Sequence, residues 1–212
     1  MELYGLVKER VKDDSGKLVD PDDYDSAITA ALMRYSKGKP RNLVRDLPGT
    51  DSHDLALPVE WSSDFSVVVS LEYPVGTVPA DMLQPADWCL YVSPASTVLR
   101  LSDLIPAATE SVRCTFTALH TEATLPVVDQ EAVVDLAAAN CLLQLSAAYG
   151  NSIDNTIQAD SVDHQSKTDQ YRRLAQELRR KGLAALGLDD EDAAPAASVV
   201  AAPPKRRNRW AR

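Results

Sequence analysis

Glycine, cysteine and histidine are scarce in this chain, at eight, three and three residues in 212. So few glycines leave little material for loops that cradle phosphate. The Gly-Lys of "SKGKP" at 36–40 also lacks the upstream Gly and the following Ser or Thr of a phosphate loop, so it is expected to end a helix. Cys89, Cys114 and Cys141 are odd in number, widely spaced and never arranged as C-x-x-C. That pattern indicates neither a disulfide framework nor a zinc site, and all three are expected to be buried, inert thiols. His53 and His120 have no second His or Cys at ligand spacing. Asp163 and His164 are adjacent, but neighbours on a helix point about 100° apart and do not form a dyad unaided. Their expected role is structural, in capping or in an intersubunit hydrogen bond. No G-x-S-x-G is present. The expectation is a protein that is not an enzyme, without catalytic, cofactor-binding or metal-binding residues.

Long apolar runs are also missing. No stretch of about 18 apolar residues occurs, and "MELYGLVKERVKD" lacks the regions of a signal peptide, so the chain reads as soluble and unexported, with no membrane partner. Cations are sparse through the middle, where Arg100, Arg113 and Lys167 are the only Lys or Arg between positions 46 and 171. Residues 1–188 carry 17 Lys plus Arg against 27 Asp plus Glu. A phosphate grip needs many cations that release counterions, so the body is not a nonspecific DNA binder. The end of the chain, "PPKRRNRWAR" at 203–212, is cationic instead.

What is present is clear periodicity. Leu3, Leu6, Val7, Arg10 and Val11 fall at helical spacing. A second helix is marked by Asp20 as cap, Pro21 at its first position and Asp22 and Asp23 at the positive end of the dipole, and it stops at Gly38 and Pro40. Its stripe is Tyr24, Ala27, Ile28, Ala31, Leu32 and Tyr35. For about 85 residues the pattern then becomes short runs punctuated by Pro, Gly, Asp and Ser. In "FSVVVSLEY", Phe65, Val67, Val69, Leu71 and Tyr73 share one face at strand period. Residues 43–47, 88–92, 98–101 and 112–119 are further strand candidates, which together suggest a small antiparallel sheet or barrel. The aromatics Trp61, Tyr73, Trp88 and Tyr91 cluster here with few cations beside them, so core or interface packing is favoured over base stacking, and carbohydrate contact stays open.

Helical pattern returns after Pro126. The run "DQEAVVDLAAANCLLQLSAAYG" from Asp129 is apolar on nearly every side between Ala132 and Tyr149. Such a helix is buried on more than one side. In a chain this small that points to burial between subunits through Val134, Ala138, Cys141, Leu142, Leu145 and Tyr149. The last helix is expected from about Val162 to Leu186, capped by Asp160, with a stripe at Tyr171, Leu174, Leu178 and Ala185. Tyr171, Leu174 and Leu178 join the candidate subunit contacts. From Asp189 the chain is Ala- and Pro-rich and is expected to be flexible, because it cannot bury enough apolar surface to offset ordering. The fold class is therefore α+β: a helical bundle from residues 1–38 and 127–188, an antiparallel β insert at 39–126, and an arm at 189–212.

The order of helices, β insert, two long helices and arm, with "YDSAITAALMRYS", "LPVEWSSDFSVVVSLEYPVG", "WCLYVSP", "VVDLAAANCLLQLSAAYG" and "DSVDHQSKTDQYRRLAQEL", resembles the adaptor, or head-to-tail connector, proteins of tailed bacteriophages. The resemblance covers about residues 1–188, and its β portion is larger than in the simplest, almost wholly helical connectors. It implies a virion protein at the head–tail interface, made in the host cytoplasm. It further implies a homo-oligomeric, dodecameric ring under the portal protein, holding a neck, stopper or tail-tube protein, with genomic DNA passing through the lumen without specific binding. An acidic wall repels DNA, and a helix apolar all round suits a closed ring. The arm then docks on the portal, with Trp210 as anchor and Lys205, Arg206, Arg207, Arg209 and Arg212 meeting carboxylates. The alternative is a head-completion protein whose basic arm contacts nucleic acid. A third reading makes the β portion an enzyme or a receptor-binding module.

Overall fold

The computed structural model describes residues 3–13, 16–94, 96–151 and 158–188, with the side chains of 151 and 158–166 set aside. The fold is α+β, with two compact units, one helical and one of β structure. The helical unit takes the chain up to Arg41 and again from Leu119, and the β unit is Asn42–Ala118.

Among the described residues, four α-helices build the first unit: α1 (Leu3–Val11), α2 (Asp22–Gly38), α3 (Val127–Asn151) and α4 (Gln158–Leu186). The stripe expected of α2 is the stripe that is buried, Tyr24 through Tyr35 at helical spacing. The cap differs. Pro21 occupies the N-cap without a side-chain bond, because the Asp20 carboxylate is taken by Tyr4 and Lys8 of α1. Asp23 serves the helix start instead, its carboxylate accepting the Val19 N–H at 2.7 Å. The start of α4 differs too: it precedes Asp160, which lies inside the helix and cannot cap it. α3 packs on α1, α2 and α4, so it is central to the bundle. By length and composition α3 is apolar enough to cross a membrane, and 72% of that stretch is buried in the chain's own core.

On α4 the buried residues are Ala175, Gly182, Leu183 and Leu186, with Tyr171 and Leu178 half-buried. Leu174 is 40% exposed, and Ala185 is exposed. The expected stripe is therefore rotated. The reason is small residues: a Cβ on Gly182 would stand 2.9 Å from the Ala132 carbonyl oxygen of α3. The two helices meet along a row of small side chains, which a search for large apolar residues passes over.

The β unit contains two three-stranded antiparallel sheets. β1 (Arg41–Pro48), β6 (Ser111–Ala118) and β3 (Val68–Glu72) form one in the order β1-β6-β3; β2 (Asp54–Ala56), β5 (Thr97–Leu101) and β4 (Trp88–Val92) form the other in the order β2-β5-β4. Leu47, Leu55, Leu71, Leu99, Leu101, Val112, Cys114 and Phe116 are among its core residues. The strand face expected at residues 65–73 does not form as an unbroken alternation. Val68 pairs Phe116 but Ser70 pairs Thr115, so Val69 is a bulge residue. One extra residue flips the face. Accordingly Val68 and Leu71 are buried, while Val67 and Val69 are 38% and 55% exposed.

Candidate functional site

The side chains singled out for subunit packing on α3 are occupied within one chain. Val134, Ala138, Cys141, Leu142, Leu145 and Tyr149 are all buried, and the first five lie in the helical core with α1, α2 and α4 residues around them. An apolar all-round helix is thus explained by neighbours inside the chain. Tyr149 stacks on Tyr171 at 5.4 Å between centroids. Of the nine residues, Leu174 alone is largely presented outward.

What the helical unit does present is a groove of about 690 Å³ between α1 and the start of α3, lined by Leu6, Glu9, Lys12, Val127, Gln130 and Glu131 among others. Val127 and the adjoining Val128 are 83% and 88% exposed. They precede the first acidic residue of α3, and their only sequence signal is two valines directly after Pro126.

Beneath the groove one buried carboxylate ties three helices. Asp135 on α3, 1% exposed, accepts from Arg10 of α1 and lies 2.9 Å from the Lys181 ammonium of α4. Glu131, one turn earlier, stands 3.7 Å from Arg10 and 3.5 Å from Lys181. The hydrogen bond to Asp135, and then its charge, raise the Lys181 pKa. Asp135 was missed in the sequence, where the available signal was a single acid inside "AVVDLAAAN".

A second polar knot stands at the C-terminal end of α2. The Tyr35 hydroxyl donates to Asp129 Oδ2 at 2.7 Å, and Lys39 Nζ is 3.2 Å from both carboxylate oxygens. Burial, reinforced by this hydrogen bond, raises the Tyr35 hydroxyl pKa. Burial pushes Asp129 up, but bonds from Tyr35 and Lys39 outweigh it and hold its pKa below the ordinary value. His120 sits edge-on to Tyr35 at 5.0 Å, its Nδ1 3.1 Å from the Thr124 carbonyl and its backbone N–H donating to Ser36 Oγ. His120 is thereby a packing residue.

In the β unit, Trp61, Tyr73 and Trp88 pack against the core. Tyr91 is 42% exposed, with the Arg100 guanidinium 3.6 Å over its ring. Arg100 also makes two bonds to Asp54, at 2.6 and 2.7 Å. The expectation of three buried thiols fails at Cys89, which is exposed on β4. Burial holds for Cys114 and Cys141, where it pushes the thiol pKa up to about 12. The arm residues Lys205, Arg206, Arg207, Arg209, Trp210 and Arg212 lie outside the described residues, as do the side chains of Asp163 and His164.

Arg10, Lys181, Glu131 and Asp135 answer one another in ion pairs, and Val127 and Val128 stand exposed beside a groove of mixed polar and apolar lining. That arrangement is suited to holding another protein surface. No protein-family model and no curated protein matches the chain. Among solved structures it is similar to a chain of the "Virion of native gene transfer agent (GTA) particle", at 17% identity and a TM-score of 0.31, over 81% of this chain and 89% of that one. It is also similar to a chain of the "Neck of native GTA particle computed with C12 symmetry", at 19% identity and a TM-score of 0.29, over 80% of this chain and 87% of that one.

Proposed function

We propose that the protein is a structural component of a tailed-phage-like virion: an adaptor whose copies form a ring between the portal and the neck or tail, around the DNA path. One observation carries this most directly. A helical unit whose core is already closed still displays Val127 and Val128 at 83% and 88% exposure beside an open groove. Clustered apolar surface of this kind marks a protein contact. Ring contacts are therefore assigned to the groove rim, with Leu143 and Leu174, each 40% exposed, as further outward apolar residues. The element order, two helices, a β insert and two long helices, is the order that the adaptor resemblance implies. The acidic body suits a channel that DNA must cross without sticking. No chemical step belongs to this role.

The test is the mass of the purified chain alone and after mixing with the portal protein of the same particle, by light scattering or native mass spectrometry. A complex holding a ring of this chain on the portal is expected. Two unassociated species would overturn the reading. The basic end supports a second reading, since Lys205, Arg206, Arg207, Arg209 and Arg212 crowd the last eight residues. A nucleic-acid contact would show as steeply salt-dependent duplex binding by a 195–212 peptide.

A further inference from the structure

Two three-stranded sheets have four edges, and three are closed to a new strand. On β2, the outward backbone groups of Asp54 are already used: its carbonyl accepts from Thr50 Oγ1 at 2.7 Å and its N–H donates to Ser52 Oγ at 3.2 Å. β3 is covered by the segment at 81–83, through Tyr73 N–H to the Asp81 carbonyl and Leu83 N–H to the Leu71 carbonyl. β1 carries Arg41, Arg45 and Asp46 and ends in Pro48, the charged and proline devices that discourage edge pairing.

Among the described residues β4 has none of these. Its residues are Trp88, Cys89, Leu90, Tyr91 and Val92, without charge or proline. The bonds Ser93 N–H to Ser96 C=O and Ser102 N–H to Asp87 C=O fix the phase of its ladder with β5. Bonded pairs alternate in an antiparallel ladder, so Cys89 and Tyr91 bond inward to β5. Trp88, Leu90 and Val92 then turn their N–H and C=O groups to the free edge. Leu90 and Val92 are 41% and 73% exposed there.

We infer that this edge receives a strand from this chain's own C-terminal segment, Ala196–Ala202. That stretch reads "AASVVAA". It holds no charge, its centre is Ser198, Val199 and Val200, and prolines at 195, 203 and 204 bracket it to strand length. Strand addition supplies main-chain bonds to Trp88, Leu90 and Val92, and one of the two adjacent valines falls on the face of Leu90 and Val92 and covers them. Charge sets the direction. Asp87 and Asp103 stand at the start of β4, and the segment is followed by Lys205, Arg206 and Arg207, so it runs antiparallel to β4. This leaves the arm beyond Pro204 available for a partner, and it does not depend on ring formation.

Cys89 supplies the test, being the exposed thiol of the three. It bonds inward, so the residue opposite it on an added strand is a non-bonded neighbour with Cα atoms about 4.5 Å apart, within disulfide reach. Ser198→Cys, Val199→Cys and Val200→Cys, each in the full chain under mild oxidation, are expected to include at least one that joins Cys89 with at least about tenfold the yield of Asn208→Cys. The product should vanish with Cys89→Ser, and its size shows whether the segment came from the same copy or a neighbour. Yields at the Asn208→Cys level for all three overturn the inference. So does a Cys89–Cys89 dimer in the parent chain, which would seat a second β4 there. Independently, amide exchange at Leu90 and Val92 is expected to quicken at least about tenfold in Val199→Pro/Val200→Pro, and unchanged rates would refute the pairing.

Discussion

Asp135 takes a negative charge into the core of the bundle, where burial costs several kcal/mol unless partners answer it. Arg10 and Lys181 do so from two other helices, with side chains 33% and 56% exposed. Asp135→Asn keeps the shape and removes the charge, while both cations can turn to water. A loss of about 2 kcal/mol is expected from urea denaturation. Glu131→Gln should change stability by less than about 0.5 kcal/mol, because that side chain is 73% exposed. The Tyr35–Asp129 pair makes stability depend on pH at both extremes. Asp129 has a folded pKa below its ordinary 3.8, so its contribution is present above 3.8 and is lost as pH falls through the folded value. Tyr35 has a folded pKa above its ordinary 10.0, so its contribution is complete below pH 10.0 and is lost as pH rises further. Tyr35→Phe is therefore expected to cost about 2 kcal/mol near neutrality. The gap from the parent should narrow below pH 3.8 and above pH 10.0, which urea midpoints across the range would record. An equal gap at all pH values would show that packing alone is involved.

Among the elements, α4 is held by what its side chains lack. A methyl on Gly182 would press to 2.9 Å on the Ala132 carbonyl oxygen and 3.1 Å on Leu136. The helix-propensity gain of Gly→Ala, about 1 kcal/mol, is then outweighed by overpacking of about 1–3 kcal/mol. Gly182→Ala should lower the melting temperature. Gly150→Ala, near the end of α3, meets only an ordinary contact, Thr168 Cγ2 at 3.9 Å, and should raise it. Helices with large apolar residues on one face were legible in the sequence, as the whole buried stripe of α2 shows. α4 was legible as a helix but not in its facing, because Ala175 and Gly182 contribute close approach and carry no hydrophobic signal. The bulge at Val69 follows from pairing with β6, a partner some 45 residues away, and periodicity within one strand cannot show it. β2 spans three residues, too few to display alternation. The candidate surface was the least legible part. Val127 and Val128 look like any start of a core helix until the partners of α3 are known.

For the whole molecule the decisive contrast is charge: 17 Lys plus Arg against 27 Asp plus Glu up to residue 188, then five cations in the last eight positions. A chain that gripped DNA through that end would show log K falling with log salt at a slope no steeper than about −4.5, since each phosphate neutralised contributes about −0.9. The acidic body would weaken the contact further by repulsion. A protein-docking end behaves differently, because Trp210 adds a desolvated anchor that salt does not screen. Deleting residues 205–212, which leaves the segment assigned to the β4 edge in place, separates the two. The helical and β cores close among the described residues, so the truncated protein should keep the circular dichroism and melting temperature of the parent. It is expected to lose attachment to DNA-filled heads. Trp210→Ala in the full chain should lose much of it as well, while leaving any DNA affinity within a few-fold of the parent. Were the arm a nucleic-acid contact, Trp210→Ala would bind heads at near parental strength and replacement of the five cations by Gln would abolish attachment in a salt-dependent way. Full attachment by the truncated protein would remove the arm from both roles and return the search to the groove beside Val127 and Val128.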